Sequence, residues 1–230
     1  MVWGGAALDF SFLSEYYPYF ITGAVNTVVL AFFTVLFGVL IGIVVALMRI
    51  TKNRLLRFIA SAYVEFIRGT PLIVQIFIVY YGLNLDLPQT DMFGLDMSRF
   101  IPGIIAMSIN SGAYVAEIIR AGIQAVDRGQ MEAARSIGFT HAAGMRYIVL
   151  PQALRNILPA LGNEFVVVIK ESSIVSVIGI GELMYNATIV RGSTFKPFEP
   201  LIVAAVIYFV LTFTLSKFLG IAERRMRSSD

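Results

Sequence analysis

The sequence predicts an all-α integral membrane protein with five transmembrane helices, and three observations carry that prediction. Only 14% of the residues are charged and 57% are hydrophobic, against about 25% charged in a soluble domain. The mean hydropathy is +0.78, and the apolar residues fall in runs long enough for the roughly 20 residues of helix that cross a hydrocarbon core. Between the runs, links rich in arginine and lysine alternate with links poor in them, which is how loops sort to the two sides of a bilayer. The start, Met1 to Pro18, is mixed and contains Asp9 and Glu15, so it does not read as a cleaved signal peptide.

The spans follow in order. The first covers residues 21–48 and carries a Gly38/Gly42 pair, spaced for close helix packing and read as internal rather than dimerising. The second covers 55–83. It is interrupted by Glu65, Arg68 and the triplet Gly69-Thr70-Pro71, and a proline there breaks the helix. Glu65 and Arg68, three apart, face the same way and pair with each other or with a neighbouring helix. The third, 100–126, holds Asn110 and Glu117; the fourth, 157–180, holds Glu164, Lys170 and Glu171; the fifth covers 201–222. Tyr16, Tyr17, Tyr19, Tyr80 and Tyr81 read as an interfacial aromatic belt at the outer ends.

Charge orients the spans. Arg49, Lys52, Arg54 and Arg57 follow the first; Arg128, Arg135 and Arg146 follow the third; Arg224, Arg225 and Arg227 follow the fifth. These regions belong on the cytoplasmic side. The link after the second span holds Asp86, Asp91 and Asp96. The N-terminus is therefore expected outside and the C-terminus in the cytoplasm.

The link between the third and fourth spans, residues 128–151, is long for a connector, which needs about 2–8 residues. Gln130 to Ile137 are good helix formers, and Gly138 suits a left-handed helix end. The expectation is a short cytoplasmic helix, marginal alone and needing something to pack on. Its small residues, Ala133 and Ala134, would let a partner come close. An amphipathic loop lying on the headgroups is the alternative, weakened by the low membrane affinity of alanine. Pro151 and Pro159 bracket the return to the membrane, and His141 reads as a loop residue.

Ionisable groups at membrane depth are costly and point to function. Asn110, Tyr114 and Glu117 share one face of the third span and are candidates to line a substrate path. The alternative for Glu117 is pairing with Arg120 or Arg68. In the fourth span, Asn163 and Glu164 are candidates too, and Lys170-Glu171-Ser172-Ser173 is a polar interruption able to unwind the helix beside a cavity. Lys170 would meet a carboxylate and Glu164 an ammonium. An internal ion pair is the alternative for these residues.

Other classes are excluded. The chain has no cysteine and one histidine, so no disulfide framework, cysteine nucleophile or His/Cys metal cluster is available. No Gly-Lys pair occurs, so no P-loop cradles ATP. No nucleophile, base and orienter are found together, and an enzyme is not expected.

Glu132-Ala133-Ala134, three residues, Gly138, nine residues, then Ile148-Val149-Leu150-Pro151 is similar to the EAA loop of the membrane subunits of ABC importers. The chain resembles the permease subunits of bacterial polar amino acid importers, the histidine, glutamine, glutamate and arginine group. "EFIRGTPLIVQIFIVYYGL" at Glu65, "AYVAEIIRAGIQAVDRGQMEAARSIGFT" at Ala113 and "LPQALRNILPALGNEFVVVIKESSIVSVIG" at Leu150 carry the resemblance. It implies that the loop is a coupling helix, with Glu132, Ala133, Ala134, Arg135 and Gly138 docking on a cytoplasmic ATPase. ATP and Mg would be bound by that partner, with no cofactor, metal or nucleic acid on this chain. It further implies a second permease subunit, an extracellular or periplasmic amino acid-binding protein, a bacterial cytoplasmic membrane and alternating access. The intramembrane glutamates lean the substrate towards a basic amino acid such as arginine, with glutamine next. A stand-alone channel or secondary transporter is the alternative, and it has no use for the long loop.

Overall fold

The computed structural model describes residues 8–83, 91–92 and 95–227. Asp86 and residues 1–7, on which parts of the charge and leader expectations fall, lie outside the described residues. The described chain is almost wholly helical: α1 Leu13–Ile50, α2 Arg54–Gly69, α3 Leu72–Gly82, α4 Met97–Gln124, α5 Arg128–Ser136, α6 His141–Gly144, α7 Leu150–Glu171, α8 Leu183–Thr194 and α9 Glu199–Arg227. The exception is a two-residue antiparallel ribbon, β1 (Asp91–Met92) with β2 (Leu95–Asp96). The helices α1, α4 and α9 are long and apolar enough to cross a membrane, and α2 with α3 forms a bent pair that passes together. The helix α7 carries Asn163, Glu164, Lys170 and Glu171 and does not qualify on apolarity alone.

The centre of the fold is the α1–α4 seam, with α7 packed against both helices. Leu30, Ile76, Met107, Val168 and Val175 form the main buried cluster and tie α1, α3, α4 and α7 together. Gly38 and Gly42 sit in the seam. A Cβ on Gly38 would lie 2.9 Å from the Ser111 side chain, and one on Gly42 would lie 2.4 Å from Val115 Cγ1. The glycine pair is thus an internal packing device. Gly42→Leu is expected to force α1 off α4 at an overpacking cost of about 1–3 kcal/mol, read as a lower thermal midpoint in detergent.

The second expected span is not a single rod. α2 and α3 meet at 109°. Pro71 has no N–H to continue the helix, and the residue before it is extended. The buried Gln75 repairs the break. Its Nε2 donates to the carbonyls of Ile67 (2.7 Å) and Thr70 (3.1 Å) and to Thr70 Oγ1 (2.9 Å). Its Oε1 accepts from Asn110 Nδ2 on α4 at 2.9 Å. The backbone groups freed at the bend are thus satisfied inside the protein, as a broken helix in a membrane protein requires.

The return from the link after α4 differs from a loop bracketed by prolines. The chain is helical from His141, through α6, a π turn at Met145–Val149, and α7. Pro151 sits in the first turn of α7, where a missing N–H costs nothing. At its other end α7 does stop at the polar interruption, and Ser172–Ile178 continues as a 3₁₀ helix to Gly179 at φ 80°.

The helix α8 stands where a plain link was expected. Its sequence, rich in β-branched residues, is a weak helix former. Capping and burial hold it. Glu182 accepts from the backbone N–H groups of Met184 (2.9 Å) and Tyr185 (2.7 Å), and Leu183, Ala187 and Val190 are buried with Phe20 and Ala204. In the link between α8 and α9, Lys196 pairs with Asp9, whose carboxyl is held down at about 2 by that contact and by the Ser11 N–H. A carboxylate lowered in the fold stabilises above its ordinary value and loses that contribution only as pH falls towards about 2. The pair therefore persists throughout the physiological range.

Candidate functional site: coupling helix and intramembrane polar residues

The link after α4 folds into the expected short helix. Asp127 caps α5 by accepting from the Gly129 N–H at 2.7 Å. At the other end Phe139 N–H donates to the Ala134 carbonyl and Gly138 N–H to the Arg135 carbonyl, both at 3.1 Å, with Gly138 at φ 93°. This pair of hydrogen bonds is the Schellman ending, whose left-handed position favours a residue without a Cβ. Thr140 then caps α6 by accepting from Ala143 N–H at 3.2 Å.

The helix α5 folds back on α6. A Cβ on Gly144 would lie 2.9 Å from Met131 Sδ and 3.3 Å from Ala134 Cβ. Ala134 is 1% exposed. It is therefore not offered to a partner, as the sequence suggested. Its smallness lets α5 sit close to its own chain. Glu132, Ala133, Arg135 and Gly138 are exposed. Beside them stand Ile137 at 75% exposure and Phe139 at 39%, two apolar side chains the sequence reasoning passed over. Their signal was available: large apolar residues on either side of a helix-ending glycine.

At membrane depth, the polar face of α4 divides into separate tasks. Asn110 is buried and braces Gln75 at the α2–α3 bend. Glu117 accepts from Arg49 of α1 at 2.9 Å and Arg120 at 2.8 Å, with Arg68 of α2 at 3.9 Å. One carboxylate thus joins three helices through three arginines: Arg120 and Arg68, the pairings foreseen as its alternative, and Arg49. Arg68 also stacks over the Tyr114 ring, 5.4 Å from its centroid, while Glu65 is exposed. Tyr114 keeps 37% exposure and is the accessible member of the set.

On α7, Glu164 is buried and accepts from Ser111 Oγ at 2.9 Å, joining α7 to α4. Asn163 and Lys170 are exposed, and Glu171 is half-buried. Seven apart, Asn163 and Lys170 share a face, and Glu164 faces away from it. Glu182 is 0% exposed and accepts from Tyr208 Oη at 2.7 Å as well as from the two backbone groups it caps. Glutamate is an uncommon N-cap, so this residue gave no signal in the sequence. Among the described residues, no group of three His, Cys, Asp or Glu is placed to hold a metal ion.

Residues 38–228 match the family model described as binding-protein-dependent transport system inner membrane component. The arginine transport system permease protein ArtQ of Bacillus subtilis is 42% identical over 97% of this chain and 99% of its own length. A putative glutamine transport system permease protein, GlnP, of Rickettsia conorii is 40% identical over 94% of this chain and 98% of its own. A crystal structure of an amino acid ABC transporter with histidines has a chain that is 52% identical, covers 96% of this chain and all of itself (100%), and superposes with a TM-score of 0.87. A chain of the MetNI methionine ABC transporter, at 18% identity and TM-score 0.76, covering 95% of this chain and 99% of itself, shares the fold. The outward-turned α5, the braced bend and the family match agree: this chain belongs to the inner membrane components of binding-protein-dependent transport systems, multi-pass permease subunits rather than enzymes.

Proposed function

We propose that the chain is the membrane permease of an ATP-driven importer of a polar amino acid, basic in the first instance and arginine in particular, with glutamine next. The observation that carries the reading is α5: a short, capped helix seated on its own chain through Ala134 and turning Glu132, Ala133, Arg135, Ile137 and Phe139 outwards. A stand-alone channel has no use for such a helix. The relatives named for arginine and glutamine transport support the substrate class.

Five crossings are proposed, the second made by α3 and led in by α2, with α7 crossing between α4 and α9 although its polarity is high, because α7 packs along both and its buried Glu164 accepts from Ser111 of α4. The N-terminus is outside and the C-terminus cytoplasmic. A cytoplasmic ATPase dimer binds ATP and Mg and takes α5 in a cleft. A second permease subunit completes the pore, and an external binding protein delivers the amino acid. Closure of the ATPases draws the two coupling helices together and turns the pore outward, an alternation between two states biased by ATP. The path runs along the face of α7 that carries the exposed Asn163 and Lys170, with the half-buried Glu171 beside it, and past Tyr114 and the buried Glu164. Asn110 and Glu117 border it while holding the bend and the arginines. The membrane is the bacterial cytoplasmic membrane.

Gly138→Asp tests the docking role. A Cβ there meets nothing within 4 Å, so the cost is backbone strain of about 1–2 kcal/mol at the helix end. The expected result is normal insertion with transport reduced about tenfold and a cysteine at Ala133 no longer cross-linking to the ATPase. Normal transport and cross-linking by the variant would remove the role assigned to α5.

A further inference from the structure

The helix α2 has three distinct sides. Ala60, Val64 and Ile67 are buried against α1 and α4. Leu55, Ile59 and Phe66 share a second side and remain 65%, 47% and 63% exposed, with Phe58 beside them at 71%. Arg54 and Arg57 lie on the third, with Lys52 just before the helix, all exposed.

These three cations have no carboxylate partner among the described residues. Arg49 and Arg68, on either side of them in sequence, are engaged by Glu117. Glu65 lies about 12 Å further along the helix axis from Arg57. The 109° bend turns α2 away from the direction of α3, which packs along α4. A helix crossing a bundle with an exposed apolar stripe and a basic edge has the form of an interfacial helix. A second copy of the chain placed on this side by a two-fold axis would bring the same basic edge against itself. A phosphate surface supplies the missing charge.

We infer that α2 is an interfacial helix whose apolar stripe lies among acyl chains and whose basic edge, Lys52, Arg54 and Arg57, binds the headgroup phosphates of anionic phospholipid. Neither the coupling helix nor the polar face of α7 takes part.

The test uses the assembled transporter in nanodiscs of phosphatidylcholine and phosphatidylglycerol, released for native mass spectrometry. Replacing Lys52, Arg54 and Arg57 with glutamine is expected to lower retained phosphatidylglycerol about fivefold per cation, from roughly 1 kcal/mol each, with phosphatidylcholine unchanged. Equal retention overturns the inference. A second readout keeps all charges: tryptophan at Phe58 should be quenched more strongly by brominated phosphatidylglycerol than by brominated phosphatidylcholine. Equal quenching by the two lipids, or a disulfide between two copies carrying Phe58→Cys, also overturns it, the latter because a second copy then occupies the stripe. Both lipid readouts are independent of orientation, substrate and ATPase, so their failure is separable from failure of the importer reading.

Discussion

Glu182→Ala is expected to abolish folded protein or to leave only a small, heat-labile fraction. The carboxylate is wholly buried and accepts three hydrogen bonds, from Met184 N–H, Tyr185 N–H and Tyr208 Oη. Alanine leaves those donors without partners where water does not reach, at about 1–3 kcal/mol for each group stranded. The loss falls where α1, α8 and α9 meet, because Thr27 Oγ1 of α1 accepts from the neighbouring Leu183 N–H at 3.2 Å. The damage should therefore spread beyond one cap. Glu182→Gln keeps an acceptor oxygen and should lose roughly half as much. Yield of monodisperse protein and the thermal midpoint in detergent read the difference. Alanine and glutamine variants as stable as the parent would show that the cap is not what seats α8.

Ala134→Leu should separate insertion from transport. The residue is buried between α5 and Gly144 with no room for a larger side chain. Overpacking costs about 1–3 kcal/mol, and it falls on a nine-residue helix that has little stability of its own. The spans are not touched. Transport should drop about tenfold or more, since about 1.4 kcal/mol is a factor of ten, while the protein reaches the membrane in normal amount. Ala134→Ser, close in size, should transport nearly as well as the parent. A leucine variant with full transport would mean that the seat of α5 on α6 does not matter to coupling.

Much of this was legible before any coordinates. The apolar runs announce α1, α4 and α9 because hydrocarbon thickness imposes a length that composition reveals. Gly138 announces the end of α5 because only a residue lacking Cβ is comfortable at φ 93°. The triplet before α3 announces a break because proline lacks the N–H. What sequence could not give is what each polar residue faces. Asn110 lies on the same stripe as Tyr114, yet one meets Gln75 and the other Arg68, because α2 and α3 approach α4 at different heights. Ala134 and Ala133 are neighbours with opposite exposure, decided by where α6 turns back. Glu182 was invisible because its partners come from elements up to 26 residues away along the chain and its cap type is uncommon.

The central claim is that this chain moves a polar amino acid only when an ATPase drives it. The most direct measurement is uptake into liposomes holding the chain with its ATPase and binding protein, with and without ATP, offering labelled arginine, histidine, lysine, glutamine and glutamate in parallel. Accumulation that requires ATP, stops when the ATPase is omitted and favours arginine is the result expected. Leakage of several amino acids without ATP would contradict the account and leave α5 without a purpose.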